Sequence, residues 1–193
     1  MANPVKLKDL YPRVATLLNK AEGRKLTSIE CCLLIDEAAV TIVAGNIRRS
    51  AGMRQFSSQD LEAAGAKENL WKQDSDGNWS IDPEKDALRM ANHTRVYHTK
   101  PELEVLVDAV IKQFHSGEGA IQFAPEAIAR SNADILSTVE LRNEFIDIYC
   151  DQGKEEASKW IQSNFGPFDD KELFHRLSRY GLNPCGEIIG SDF

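Results

Sequence analysis

The sequence predicts an α/β fold, rich in helix and carrying about four short strands. Three observations predict it. Apolar residues recur at helical spacing through 5–22, 27–40 and 103–114. Residues 92–98 alternate in the period-two sense of a strand. Turn-forming clusters such as Asp74-Ser75-Asp76-Gly77-Asn78 and Ser116-Gly117-Glu118-Gly119 punctuate the chain between these stretches.

Leu7, Leu10, Val14, Leu17 and Leu18 mark the first helix, over 5–22. Pro12 is expected to shorten or kink it, and Gly23 to stop it. Thr27 followed three residues later by Glu30 is a capping-box pattern. The helix it opens runs through Cys31, Cys32, Leu33, Leu34, Ile35, Ala38, Ala39 and Val40, so continuous an apolar run that burial on more than one side is expected. Thr41-Ile42-Val43-Ala44 reads as the helix end or a short strand. Ser57 or Ser58 is the expected cap of a helix over 59–70. The acidic turn at 74–78 lacks the later bidentate Glu that a calcium loop needs. Trp71 and Trp79 flank it as a packing anchor or a partner surface, and 81–84 continues as surface loop.

After the strand at 92–98, Thr99 as N-cap, Pro101 in the first turn and Glu102 predict a further helix. Leu103, Leu106, Val107, Val110, Ile111 and Phe114 form its apolar face. Residues 120–124 read as a strand, and Pro125 opens a helix to about Asn132. Residues 138–163 read as helix broken near Gly153, and Asp169 caps a helix over 170–180. A turn through 181–190 then enters a short strand.

A chain of 193 residues with 42% hydrophobic and 27% charged residues is long enough and apolar enough to bury a sizeable core. Net charge of −7 and the lack of a like-charge block argue against a nucleic-acid partner or an anionic membrane surface. No apolar run is long enough to span a bilayer, and the first residues lack a signal-peptide core, so a cytoplasmic location is expected. Cys31, Cys32, Cys150 and Cys185 form no C-x-x-C pair and no zinc spacing; free thiols and no metal site are expected. Core packing is expected for Cys31 and Cys32, core or interface packing for Cys150, and a structural or surface role for His93 and His98.

The chemistry concentrates in Asn183-Pro184-Cys185-Gly186-Glu187. In extended backbone, residues two apart point the same way, so an amide, a thiol and a carboxylate face one substrate. A neighbouring carboxylate raises a thiol pKa by like-charge repulsion. That is wrong for a thiolate nucleophile and tolerable for a cysteine that carries a hydrogen atom. The alternative is a buried cysteine in a tight turn.

Asn183-Pro184-Cys185-Gly186-Glu187-Ile188 resembles the finger-loop motif of ribonucleotide reductases, in its adenosylcobalamin-dependent (class II) form. Val43-Ala44-Gly45-Asn46-Ile47-Arg48-Arg49-Ser50-Ala51 is similar to the family segment that links the specificity effector site to the substrate base. Arg89-Met90-Ala91-Asn92-His93-Thr94-Arg95-Val96 and Ser116-Gly117-Glu118-Gly119-Ala120-Ile121-Gln122-Phe123 resemble two barrel-strand segments in the same order. The resemblance implies a partial ten-stranded α/β barrel, with all of 1–193 forming the central part of one incomplete domain. It implies that Cys185 carries a thiyl radical, generated through adenosylcobalamin, that abstracts the substrate's 3′ hydrogen. Glu187 is then the general base for the 3′-hydroxyl, and Asn183 a hydrogen-bonding partner of the ribose. Arg48, with Arg49, Ser50 and Ala51 beside it, approaches the ribonucleotide base, and a deoxynucleotide effector lies near 45–51. Without the resemblance, Arg48-Arg49 is an ordinary solvated pair.

The reducing cysteine pair of the family and most of its cobalamin site are not identifiable in this sequence. The chain is therefore expected to work with other chains that bring the remaining barrel and the redox cysteines, with an external dithiol as reductant. The alternative is a non-catalytic assembly or regulatory piece of the same complex.

Overall fold

The computed structural model describes residues 4–41, 43–44, 48–49, 52–68, 70–116, 119–183 and 189–191. They divide into two compact units, Met1–Arg95 with Val107–Ala120, and Val96–Leu106 with Ile121–Phe193. The fold is α/β and helix-rich, as the spacing of apolar residues predicts.

The first unit begins with helix α1 (Pro4–Lys20), which continues through Pro12 rather than stopping there and buries none of its residues. Helix α2 (Ser28–Val40) carries the expected capping box: the Thr27 hydroxyl accepts from the Glu30 amide, and the Glu30 carboxylate accepts from the Thr27 amide. The expected burial on several sides is not found. Leu33, Asp36 and Glu37 are its buried residues, whereas Cys31 is exposed and Ile35 is 57% exposed. Within this chain α2 packs on α1, on residues 52–57 and 61–65 and on a 3-10 turn (Asp86–Met90), which together cover one face only. Leu33, Ala66, Ala87 and Leu88 form that small core, with Cys32, Leu17, Ile29 and Val40 against it.

Strands β1 (Val43–Ala44) and β2 (Arg48–Arg49) pair antiparallel, Val43 opposite Arg49 and Ala44 opposite Arg48. Strand β3 (Gly52–Ser57) was not expected from its composition. Helix α3 (Leu61–Gly65) is shorter than the predicted 59–70 and is capped by Asp60, not by Ser57 or Ser58; the Asp60 carboxylate accepts from the Ala63 amide at 3.0 Å. Strands β4 (Trp71–Gln73) and β5 (Trp79–Ile81) form a hairpin around the acidic turn. Asp74 Oδ1 accepts from the Asp76 and Asn78 amides, and Gly77 takes φ +84°, so the carboxylate a calcium loop would use is engaged by its own backbone. Trp71 and Trp79 are both exposed, which removes the packing-anchor reading.

Strand β6 (Ala91–Tyr97), helix α4 (Leu103–Ser116) and strand β7 (Ala120–Phe123) follow as a strand–helix–strand crossover. Strands β3, β6 and β7 make a parallel three-stranded sheet in that order. Crossovers of this kind are what parallel pairing requires. Helix α4 starts at Leu103, so Glu102 rather than Thr99 occupies the N-cap position. Pro101 disfavours helical backbone at Lys100 and moves the start downstream. Of α4 only Ala109 is buried; Leu103, Val107, Val110, Ile111 and Phe114 are exposed.

In the second unit, helices α5 (Ala124–Ser131), α6 (Val139–Gln152), α7 (Lys154–Phe165) and α8 (Asp170–Ser178) surround a core of Ile128, Leu136, Phe145, Tyr149, Ile161 and Leu177. The predicted break at Gly153 is present, with φ +92°, a backbone conformation that glycine alone adopts cheaply. Asp169 caps α8, its carboxylate accepting from the Glu172 amide at 2.8 Å. The chain then forms strand β8 (Tyr180–Leu182) and, beyond the motif, strand β9 (Ile189–Ser191).

Candidate functional site

Strands β8 and β9 pair antiparallel: Tyr180 opposite Ser191, Gly181 opposite Gly190, Leu182 opposite Ile189. The ladder closes on residues 183–188, so the Asn-Pro-Cys-Gly-Glu-Ile motif connects two paired strands. Asn183 is half-buried at the end of the first strand. Cys185 and Glu187 lie outside the described residues.

The base of this hairpin is fixed from two sides. Helix α5 packs against both β8 and β9, and α8 runs directly into β8. A buried polar knot ties α5 to α8. Asn132, fully buried at the end of α5, donates from Nδ2 to the carbonyls of Ile128 and Arg176. Arg176 donates to Asn132 Oδ1, to both Asp134 oxygens at 3.2 and 3.0 Å, and to Glu172. Its guanidinium also lies over the Phe168 ring, 4.6 Å from the centroid. Every polar group named here is matched, the condition under which a buried network rigidifies its surroundings. In β8 itself, burial pushes the Tyr180 hydroxyl up to about 12, with neighbouring Tyr149 adding to the shift.

The second candidate segment belongs to the first unit. Strands β1 and β2 pair the backbones of Arg48 and Arg49 with Ala44 and Val43. Ser50 and Ala51 lie outside the described residues. On the α2 side, Thr41 caps the helix, its hydroxyl donating to the Ala38 carbonyl at 2.7 Å. On the β3 side, Arg54 donates from a terminal guanidinium nitrogen to the Asp36 carboxylate, which is completely buried on α2. Asp36 Oδ2 and Arg54 Nε have no hydrogen-bond partner among the described residues. Burial, opposed by Arg54 and Lys67, pushes the Asp36 carboxyl up to about 6. Neither residue was a candidate in the sequence. The signal that could have found them is Asp36-Glu37 inside an apolar helical run, because unpaired carboxylates are almost never buried.

Cys150 is exposed, which removes the core half of the core-or-interface expectation, and it lines a cavity of about 550 Å³ with Tyr97, Lys100, Leu106, Phe123 and Asp147. Burial and the carboxylates of Asp151 and Asp147 push its thiol pKa up, against activation as a nucleophile. A second cavity, of about 350 Å³, lies between α1 and α2. No cluster of three or more metal-ligating side chains occurs among the described residues. No helix among them is long and apolar enough to cross a membrane.

A stretch of 59 residues, 31% of the chain, is 34% identical to the adenosylcobalamin-dependent ribonucleoside-triphosphate reductase of Levilactobacillus brevis (strain ATCC 367). No family model and no solved structure matches the chain. The matched stretch spans 8% of the Levilactobacillus protein, so the similarity is to a small part of a much longer reductase.

Proposed function

We propose that the chain is one component of a ribonucleotide reductase, converting ribonucleotides to 2′-deoxyribonucleotides by thiyl-radical chemistry. The observation that carries the proposal is the β8–β9 pairing. It pairs the strands on either side of the Asn183-to-Ile188 motif, and those strands pack on α5, with α8 against β8. The partial likeness to a reductase supports the same reading, and the parallel β3-β6-β7 sheet is the kind of sheet a larger α/β barrel would extend.

In this reading Cys185 gives its hydrogen atom to a radical generator supplied by the rest of the assembly. The resulting thiyl radical takes the hydrogen from the 3′ carbon of the ribose. Glu187 accepts the 3′-hydroxyl proton, and the Asn183 amide holds the sugar in place. Replacing the 2′-hydroxyl by hydrogen consumes two electrons and releases water, so a dithiol on another chain, recharged by an external dithiol, must supply them. Arg48 and Arg49 contact the base, with Ser50 and Ala51 beside them and a deoxynucleotide effector next to 45–51. Adenosylcobalamin is bound mainly by parts outside this chain. A cytoplasmic location belongs to the same proposal; Cys31, Cys32 and Cys150 are free thiols, as a reducing compartment allows.

The test is Cys185→Ser in the assembly reconstituted with its partner chains. Turnover is expected to vanish while the assembly forms normally. Retained turnover overturns the thiyl assignment. Glu187→Gln is expected to lower the rate about 10²–10⁴-fold, the range for a lost general base. One observation favours the second reading, a non-catalytic assembly piece: the wide apolar exposure of α4, where Leu103 is 74% and Phe114 82% exposed. Full turnover of the assembly carrying Cys185→Ser would select that reading.

A further inference from the structure

We propose that the cavity at the carboxyl ends of β6 and β7 is a binding site for a small organic cation, an amine carried on an apolar body. Its lining residues all belong to the second unit, and the site stands apart from the reductase reading.

Three observations support it. The first is location. Tyr97 and Phe123, which border the cavity, are the last residues of two neighbouring strands of the sheet. Lys100 and Pro101, in the turn that follows β6, border it as well. Open α/β sheets take their ligands in the crevice outside the carboxyl ends of the strands, where loops carry the binding groups on a fixed scaffold. The volume of about 550 Å³ falls within the range that small ligands fill. The second is the makeup of the facing wall. Phe145 and Tyr149 of α6 turn into the core. At 3.6 residues per turn, positions 146, 147, 150 and 151 fall on the other side of the helix. Ile146, Asp147, Cys150 and Asp151 all line the cavity. Apolar surface therefore comes from both walls, Tyr97 and Phe123 on one and Ile146 on the other, with a few polar groups beside it.

The third is charge. Asp147, Asp151 and Lys100 are the charged groups of the cavity, and the two carboxylates lie one turn apart on α6. Among the described residues none of the three enters an ion pair or a side-chain hydrogen bond. The field of the carboxylates reaches into the cavity: after burial, Asp151 and Asp147 are what raise the Cys150 thiol, and Lys100 offsets them only in part. Two carboxylates against one ammonium, beside the aromatic rings of Tyr97 and Phe123, attract a cation and repel an anion. Two unpaired acids on an exposed helix face are commonplace. This pair differs in bordering an apolar cavity that can bury the body of the ligand while its amine meets the acids.

Cys150 makes the site readable. The full 193-residue chain is alkylated with iodoacetamide in the presence of tryptamine or indole-3-acetate, and the Cys150 and Cys31 peptides are followed by mass spectrometry. The two probes share one ring system and carry opposite charges. Millimolar tryptamine is expected to slow alkylation of Cys150 about fivefold, as a site mostly occupied by ligand requires. Indole-3-acetate is expected to leave the rate unchanged. Cys31, exposed in the other unit, should react at one rate throughout. Asp147→Asn/Asp151→Asn keeps the shape of the wall and removes its charge, and is expected to abolish the protection by tryptamine. Equal protection by the two probes overturns the proposal, as does protection by neither. Protection that survives in the double variant overturns it as well. Calorimetric titration of tryptamine gives a reading that needs no thiol chemistry: a binding heat lost in the double variant supports the site, and no heat with the wild-type chain overturns it.

Discussion

His93 lies on β6 with 4% of its surface exposed, its ring 5.8 Å from that of Phe56 in an edge-on contact. Neither ring nitrogen makes a well-formed hydrogen bond among the described residues. Burial, then the charges of Lys67 and Arg54, lower its pKa from 6.5 to about 4, with the Ala63 backbone opposing weakly. Asp36, in the same unit, is displaced the other way, from 3.8 to about 6. The two therefore act on stability in opposite directions over one pH window. Between about 4 and 6.5 the unfolded chain binds a proton at His93 that the folded chain refuses, so this residue's contribution is lost as pH falls through that range. Between about 4 and 6 the folded chain holds a proton at Asp36 that the unfolded chain releases, so that contribution is lost as pH rises. The wild-type chain is expected to show a shallow pH dependence there because the slopes oppose. His93→Phe should uncover a stability that declines from pH 4 to 6, and Asp36→Asn one that climbs from pH 4 to 6.5. Urea unfolding at half-unit pH steps measures both slopes, and parallel curves for the two variants would contradict the assignment.

Among the elements, the turn after α7 is closed by one side chain. Gln162 donates from Nε2 to the Phe168 carbonyl at 2.9 Å and accepts the Phe168 amide at 3.0 Å. Gly166 sits inside this loop, where an added methyl group would run into the Gln162 carbonyl oxygen. Gly166→Ala is expected to cost about 1–3 kcal/mol in chemical denaturation, whereas the same change at Gly190, where nothing lies nearby, should cost far less. The elements that were legible in the sequence are those whose cause is local. Thr27 with Glu30 and Asp169 announce their helices by side-chain caps, and Gly153 announces a break by its backbone freedom. Strand β3 was not legible, because Met53, Arg54 and Gln55 have little intrinsic strand preference and are extended by pairing in the sheet. Strand β8 was hidden behind a helix expected to reach 180. For the site, the turn through 181–190 announced a short strand after Cys185, but the Asp36–Arg54 pair joins residues far apart in sequence and leaves only the two carboxylates in an apolar run as its trace. Exposure was the least legible property. An amphipathic pattern states that a face wants covering and does not state that this chain covers it, as α4 demonstrates.

At the scale of the molecule, the apolar faces of α2 and α4 and the small sheet agree with the proposal that other polypeptides complete the fold. The purified chain, given ribonucleotide, adenosylcobalamin and a dithiol, is then expected to show no turnover, and activity should arise only when the partner chains are added. Measurable turnover by the chain alone would refute the need for partners. The division into two units has a further consequence. The backbone passes from one unit to the other three times, after Arg95, after Leu106 and after Ala120. No single scission can therefore yield either unit as a continuous polypeptide. A protease that nicks one exposed loop leaves both stitched together by the remaining crossings. A gene cut anywhere between 96 and 120 distributes pieces of both units over the two products, so each half must find the other before either has a complete interior.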